Sequence, residues 1–177
     1  MKKASLLWLD LEMTGLDAKR DRIIEIGAVA TDWKLNEIAR FLATVRVSPR
    51  LMKHRMRGEF WDENSDVRDE LMKQNSSGKP AGVVEQEIIA FLDKNFKRKE
   101  PIILAGNSIW NDRAFIERQW PNFAGRLHYR MLDVTAWKLV FENMYSNKFA
   151  KPDAHRAIED IEGSIMELKQ YLAKVKK

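Results

Sequence analysis

Residues 6–12, LLWLDLE, constrain this chain more than any other stretch. So apolar a run belongs inside a sheet, yet it carries two carboxylates two residues apart. Side chains alternate along a strand, so Asp10 and Glu12 share one face while Leu7, Leu9 and Leu11 share the other. Two like charges on a buried face are costly unless a cation lies between them. The alternative is an edge strand with its acids in water, and the run of Leu6, Leu7, Trp8, Leu9 and Leu11 argues against it.

The rest of the chain reads as alternating elements. RIIEIGAVATD predicts a second strand and IARFLATVRV a third, with LN as the turn between them. Residues 51–80 are polar and irregular, with one or two short helices closed by a flexible NSSGKPAG. VVEQEIIAFLDKNF sets Val84, Ile88, Phe91, Leu92 and Phe96 at helical spacing. IILA is a compact strand ending in the turn GNS, and NDRAFIERQW is a helix that stops at Pro121. HYRMLD is a short strand, and DVTAWKLVFENMY a helix with Asp133 near its start, where a carboxylate suits the dipole. In DAHRAIEDIEGSIMELKQYLAKV, Ile158, Ile161, Ile165, Leu168 and Leu172 form one stripe of a long helix. Three strands followed by alternating helices and strands indicate an α/β fold with a mixed sheet. No repeat or linker divides the 177 residues, so a single domain over 1–177 is expected.

With no cysteine, any metal site must use oxygen and nitrogen ligands, and a reducing cytoplasm suits the chain. The apolar run after Lys2 and Lys3 is interrupted by Asp10 and Glu12 and has no small-residue cleavage site, so it is not read as a signal sequence. No stretch approaches a membrane span. A net charge of +5 permits a polyanionic substrate without requiring one.

Two further acids and a histidine stand out. Asp112 falls at the start of a helix, where it could serve as a cap or dipole partner. Asp160 lies outside the apolar stripe of the last helix and, alone, would be a solvated acid; His155 sits at that helix's start. Taken together, four carboxylates from one strand and two helices suit two hard divalent cations. Two such cations clamp the attacking and leaving oxygens of a phosphoryl displacement, and a histidine can take the proton from water.

The order Asp-x-Glu, Asp, His-x4-Asp resembles the DEDDh 3′-to-5′ exonucleases, which have a ribonuclease-H-like fold: a mixed central sheet flanked by helices. WLDLEMTGLD, DRIIEIG, GNSIWNDRAF, HYRMLDV and HRAIEDIEGSIMEL are similar to the motifs of their oligoribonuclease branch and lie in its order. The resemblance implies Asp10, Glu12, Asp112 and Asp160 as ligands of two Mg²⁺ or Mn²⁺ ions, and His155 as general base. It implies Leu16 as a wedge against a substrate base, with Trp61 beside it. Ser108, Arg130 and Thr135 would cap the 5′ phosphate of a short single-stranded RNA, with Tyr129 contributed by the partner subunit of a homodimer. The implied activity is hydrolysis of very short oligoribonucleotides, dinucleotides in particular, to nucleoside 5′-monophosphates in the cytoplasm. A broader exonuclease on longer RNA or single-stranded DNA is the alternative, and a catalytically dead binding module the third reading.

The sequence also departs from the branch. Thr135 replaces a serine, which keeps the hydroxyl. Asp66 stands where a base-stacking histidine is usual, which leaves His54 or another residue to substitute, or else the dinucleotide preference relaxed. Trp110 adds bulk beside the site.

Overall fold

In the computed structural model, which describes residues 3–146, 148, 149 and 156–175, a five-stranded sheet carries the fold. β1 (Leu6–Met13) is central, with β2 (Ile23–Thr31) and β3 (Glu37–Thr44) on one side and β4 (Ile102–Gly106) and β5 (Leu127–Asp133) on the other. β1 pairs antiparallel with β2 and parallel with β4, so the sheet is mixed, as expected. Between β3 and β4 lie α1 (Pro49–Arg55), α2 (Glu59–Glu63), α3 (Ser65–Gln74) and α4 (Ala81–Asn95). α5 (Ile109–Gln119) and the short α6 (Pro121–Ala124) join β4 to β5, and α7 (Val134–Met144) and α8 (Ala157–Val175) follow.

Alternation along β1 divides the core. Leu7, Leu9 and Leu11 pack with Val84, Ile88 and Leu92 of α4 and Phe115 and Ile116 of α5. Leu6 and Trp8 pack on the opposite face with Ile161, Ile165 and Leu168 of α8 and Phe141 of α7. Asp10 and Glu12 continue that second face beyond Trp8, where the apolar contacts give out. A third cluster, built from Ile24, Met52, Met56, Trp61 and Leu71, fastens α1, α2 and α3 to β2.

Residues 51–80 are more ordered than their polarity predicts. They hold three helices and a 3₁₀ turn at Asn75–Ser77, and the NSSGKPAG segment is pinned rather than loose. Asn75 is buried, its Oδ1 accepting from Val47 N–H at 2.8 Å and its Nδ2 donating to Val47 C=O at 2.9 Å. The turn before β3 is broader than LN alone: Asp32 Oδ1 accepts from the N–H groups of Lys34 (2.8 Å) and Asn36 (3.0 Å).

One glycine sets the position of α8. Gly27 faces Asp10 across the β1–β2 ladder, and a Cβ there would lie 2.8 Å from Ala157 Cβ and 3.0 Å from its backbone carbon. Only a hydrogen at position 27 lets the start of α8 come this close to β2, which brings Asp160 over the acidic end of β1. Gly27→Ala should cost about 1–3 kcal/mol through overpacking and should also lower catalytic rate. Thermal melts and initial rates on the same preparation test this; a destabilised variant with unchanged rate would show that the close approach does not position Asp160.

Candidate active site

Carboxylate oxygens of Asp10, Glu12 and Asp160 lie within 4.8 Å of one another, each residue half-buried. The strand supplies two of them and the first turn of α8 the third. Asp160 also accepts from Arg156 N–H at 3.2 Å, so the carboxylate caps the start of its own helix. An all-oxygen, acidic, half-buried donor set fits hard divalent cations.

Asp112 enters from the opposite side of β1. β1 and β4 pair only through Trp8 and Ala105, and beyond that point the strands part. Leu11 N–H, past the end of this pairing, donates to Asp112 Oδ1 at 2.9 Å. The buried carboxylate thereby satisfies backbone that the sheet leaves open. Asp112 is not within the close trio, but its charge acts on Glu12.

Electrostatics show the strain of gathering these acids in one half-buried place. Burial, then the negative charges of Asp160 and Glu25, push the Glu12 carboxyl from its ordinary 4.5 up to about 8. Burial also raises Asp112, to about 7, against the help of its backbone hydrogen bonds. Arg156 lowers Glu12, and that guanidinium is held nearby by Glu25, which lies opposite Glu12 on β2. Glu25 is 2 % exposed and accepts from Arg156 Nη2 at 3.1 Å and from Gln74 Nε2 at 2.8 Å. Arg156 also reaches Glu70, so one guanidinium ties α3, β2 and the start of α8 together. Because this tie fixes where α8 brings Asp160, Arg156→Gln should raise the concentration of metal needed for half-maximal rate, which a metal titration of activity measures; Arg156→Lys, keeping a donor to Glu25, should recover part of the loss.

Beside the carboxylates a cavity of about 340 Å³ is lined by Glu12, Met13, Leu16, Phe60 and Trp61. Leu16 projects at 78 % exposure from the MTGL turn. That turn is shaped by Asp21, which accepts from Thr14 Oγ1 (3.0 Å) and Asp17 N–H (2.9 Å) and takes the Arg55 fork at 2.7 and 2.9 Å. Although burial pushes Asp21 up, Arg55 and these donors hold it below the usual carboxylate range. Gly15 leaves room for Asp21: a Cβ would lie 2.7 Å from its Oδ2. Trp61 is 6 % exposed, chiefly a core side chain with one edge on the cavity.

A second group lies at the N-terminal end of α5, just before the turn that carries Asp112. Ser108, at φ +48°, donates from its N–H to Asp133 Oδ1 (3.0 Å) and Thr135 Oγ1 (2.9 Å), and its hydroxyl lies 3.2 Å from that of Thr135. Asp133 caps α7 by accepting from Thr135 N–H at 2.9 Å. Ser108, by contrast, makes no side-chain cap on α5. On β5, the Arg130 guanidinium lies 5.2 Å from the Tyr129 ring centre, and His128 stacks on that same ring with centroids 4.5 Å apart.

Comparison with known proteins agrees with this geometry. A family model described as Exonuclease matches residues 7–168. An oligoribonuclease of Francisella tularensis subsp. tularensis is 39 % identical over 173 residues, covering 97 % of this chain and 96 % of its own. An oligoribonuclease of Corynebacterium glutamicum is 38 % identical over 94 % of this chain and 77 % of its own. The chain belongs to the oligoribonucleases of the exonuclease family. Among solved structures, an E. coli exonuclease I–single-stranded DNA complex in its zinc-bound form superposes with TM-score 0.66 at 14 % identity over 99 % of this chain. Exonuclease I of Methylocaldum szegediense also gives 0.66, at 15 % identity over 97 %. This chain spans about two fifths of those larger proteins, and the likeness shows the ribonuclease-H-like fold.

Within this oligoribonuclease-family chain, the expected residues that the structure describes fall into four groups. Asp10, Glu12 and Asp160 come together with Asp112 behind them, Leu16 and Trp61 share the adjoining cavity, and Ser108 pairs with Thr135. Tyr129 and Arg130 form a pair of their own on the edge strand. His155 lies outside the described residues. Asp66 is exposed in the first turn of α3, and His54 lines a neighbouring groove rather than the Trp61 cavity. Trp110 is exposed on the first turn of α5.

Phe60 is the residue that sequence reasoning missed. It is 52 % exposed, lines the cavity, and stands edge-on to Trp61 at 5.0 Å. The signal was the FW pair in RGEFWDEN, which on a short helix puts one ring into the core and the next into the cavity. Stacking on a base is worth about 1–3 kcal/mol, so Phe60→Ala should raise KM about 5- to 150-fold with little change in kcat. Steady-state kinetics on a dinucleotide decides it; an unchanged KM would show that Phe60 does not contact the substrate.

Proposed function

We propose that this chain, as a single exonuclease domain over residues 1–177, is a metal-dependent 3′-to-5′ exoribonuclease that hydrolyses very short oligoribonucleotides, dinucleotides in particular, to nucleoside 5′-monophosphates. The observation that carries the reading is that Glu12 belongs both to the carboxylate cluster and to the cavity lined by Leu16 and Trp61. Whatever base occupies that cavity has its phosphodiester beside the acids.

Asp10, Glu12, Asp112 and Asp160 hold two divalent cations, Mg²⁺ or Mn²⁺, which when bound supply positive charge to the attacking and leaving oxygens. Leu16, Trp61 and Phe60 fix the 3′-terminal base. His155 accepts the proton of the attacking water, and its neighbour Arg156, anchored on Glu25, sets where that helix start lies. Ser108, Thr135 and Arg130 receive the 5′ phosphate, the arginine as a forked donor and the hydroxyls as a compact pair. A cap at that end makes substrate length matter.

The enzyme acts in this reading as a cytoplasmic homodimer, with Tyr129 of the partner subunit closing the 5′ end. Support comes from the edge position of β5, the 70 % exposure of Tyr129, and the outward Leu139, Val140, Met144 and Tyr145 along and just after α7. Among the described residues no helix is long and apolar enough to cross a membrane. Asp66 in place of a stacking histidine favours the second reading, a broader exonuclease on longer RNA or single-stranded DNA.

Hydrolysis of 5′-phosphorylated RNAs two, four, seven and twenty nucleotides long separates the two. Faster cleavage of the dinucleotide, by tenfold or more over the seven-mer, supports the cap. Equal rates at all lengths would replace the dinucleotide reading with the broader one.

A further inference from the structure

A buried carboxylate outside the acidic cluster sits against the turn that follows β4. Glu167 of α8 is 1 % exposed, and its oxygens accept from Tyr171 Oη at 2.7 Å and from Asn107 Nδ2 at 3.1 Å. Both neighbours donate, as an ionised carboxylate requires. Burying such a group is costly, and packing does not call for it, because Ile161, Ile165 and Leu168 already hold α8 on the sheet. Asn107 is placed at a cost as well: its amide points its donor at Glu167, and its Oδ1 is buried without a partner among the described residues.

What this contact holds is the residue that follows. β4 ends at Gly106, which faces Asp133 on β5, and the chain then turns through Asn107 into Ser108. Ser108 stands at φ +48°, a left-handed conformation that a residue with a side chain seldom adopts. Such conformations persist where the surroundings over-determine them. Here Asp133 and Thr135 accept from the Ser108 N–H on one side, and Glu167 takes the Asn107 side chain on the other. The outcome is the 3.2 Å approach of the Ser108 and Thr135 hydroxyls. The same helix reaches the acidic cluster. Asp160 and Glu167 are seven residues apart, so they share one face of α8, two turns and about 10 Å from each other along its axis.

We propose that Glu167 is a specificity-determining positioning residue, which through Asn107 fixes Ser108 of the 5′-phosphate cap at a set distance from the acidic cluster. One rigid helix then carries Asp160 to the reacting phosphodiester and Glu167 to the underside of the cap, so the span between the two phosphates of a dinucleotide is built into α8. Glu167 itself is too deeply buried to touch substrate. The proposal rests on the ribonuclease reading above for the cap that it positions.

The test compares kcat/KM for a dinucleotide bearing a 5′ phosphate with kcat/KM for the same dinucleotide ending in a 5′ hydroxyl, using the full chain with saturating Mn²⁺. The parent should favour the phosphorylated form by about tenfold or more, the worth of a hydrogen bond to a charged group. No preference in the parent would overturn the cap reading, and this role with it. Asn107→Asp sets two carboxylates against each other and should shrink the preference to about threefold or less, through KM of the phosphorylated form. Hydrolysis of the hydroxyl form and the metal concentration for half-maximal rate should stay close to the parent's, which certifies the fold and the acidic cluster. Adding Glu167→Gln supplies an amide donor from α8 and should restore most of the preference, a recovery that general damage to the turn would not show. A preference unchanged in Asn107→Asp, or one that Glu167→Gln fails to restore, would overturn the role. If Asn107→Asp does not fold, Asn107→Ala removes the tie without adding charge and carries the same expected loss; a parental preference there would overturn the role equally.

Discussion

Asp10→Asn is expected to reduce hydrolysis of a 5′-phosphorylated dinucleotide by about 10³-fold or more while leaving the fold intact. Charge stabilisation by a bound cation is worth several kcal/mol, and each 1.36 kcal/mol is a factor of ten in rate. Asp10 offers a carboxylate oxygen within 4.8 Å of those of Glu12 and Asp160, and an amide there keeps the shape but removes the charge proposed to hold a cation. Because these residues act as a unit, Asp160→Asn and the double variant should each fall to about the same floor rather than multiply. Excess Mn²⁺ should not restore the parental rate. A single variant within tenfold of the parent would mean that the cluster does not carry the chemistry.

The second large effect concerns stability and reverses direction between the free and the metal-bound protein. Glu12 is pushed up to about 8 in the folded chain, so the folded state binds a proton that the unfolded state has already released above about 4.5. The raised folded value means that this contribution is fully present below pH 4.5 and is lost as pH rises toward 8. Metal-free protein should therefore melt at lower temperature at pH 8 than at pH 6, and Asp112, raised to about 7, adds to the same trend. Divalent cations bind the ionised carboxylates, so added Mg²⁺ or Mn²⁺ should restore stability most at the alkaline end. Glu12→Gln removes the pressed charge: it should raise the metal-free Tm at pH 8, by about 2–4 °C for each kcal/mol relieved, while abolishing the gain from metal. Scanning calorimetry with chelator and with Mn²⁺ measures both. A Glu12→Gln protein that melts below its parent at pH 8 without metal would contradict the repulsion described here.

What could be read in the sequence was decided by periodicity. The alternation in LLWLDLE placed Asp10 and Glu12 on one face, and the structure keeps them there, at the end of the face that Leu6 and Trp8 bury against α8. The stripe of Ile161, Ile165 and Leu168 placed α8 on the sheet in the same way. Asp160 was different: helical spacing alone left it in solvent, and it joined the other acids only when the four carboxylates were read together and the motif resemblance was added. The structural cause is Gly27, whose missing side chain brings the helix start down onto β2.

The segment between β3 and α4 was least legible, since its three helices are too short to show a repeating apolar face. They are held from outside, by Ile24 beneath Met52, Met56, Trp61 and Leu71, and by Asn75 bridging to Val47. Phe60 was hidden for the same reason, because a five-residue helix gives no periodicity from which to say which of two adjacent rings faces out. Arg156 joins three elements through partners as far away in sequence as Glu25, and no local pattern encodes such a link.

The most direct measurement follows a four-nucleotide RNA, labelled at its 5′ end, with Mg²⁺ and again with chelator. The account predicts shortening one nucleotide at a time from the 3′ end, release of nucleoside 5′-monophosphates, and complete arrest by the chelator that Mn²⁺ reverses. Internal cleavage, products ending in a 3′ phosphate, or undiminished hydrolysis with chelator present would contradict it.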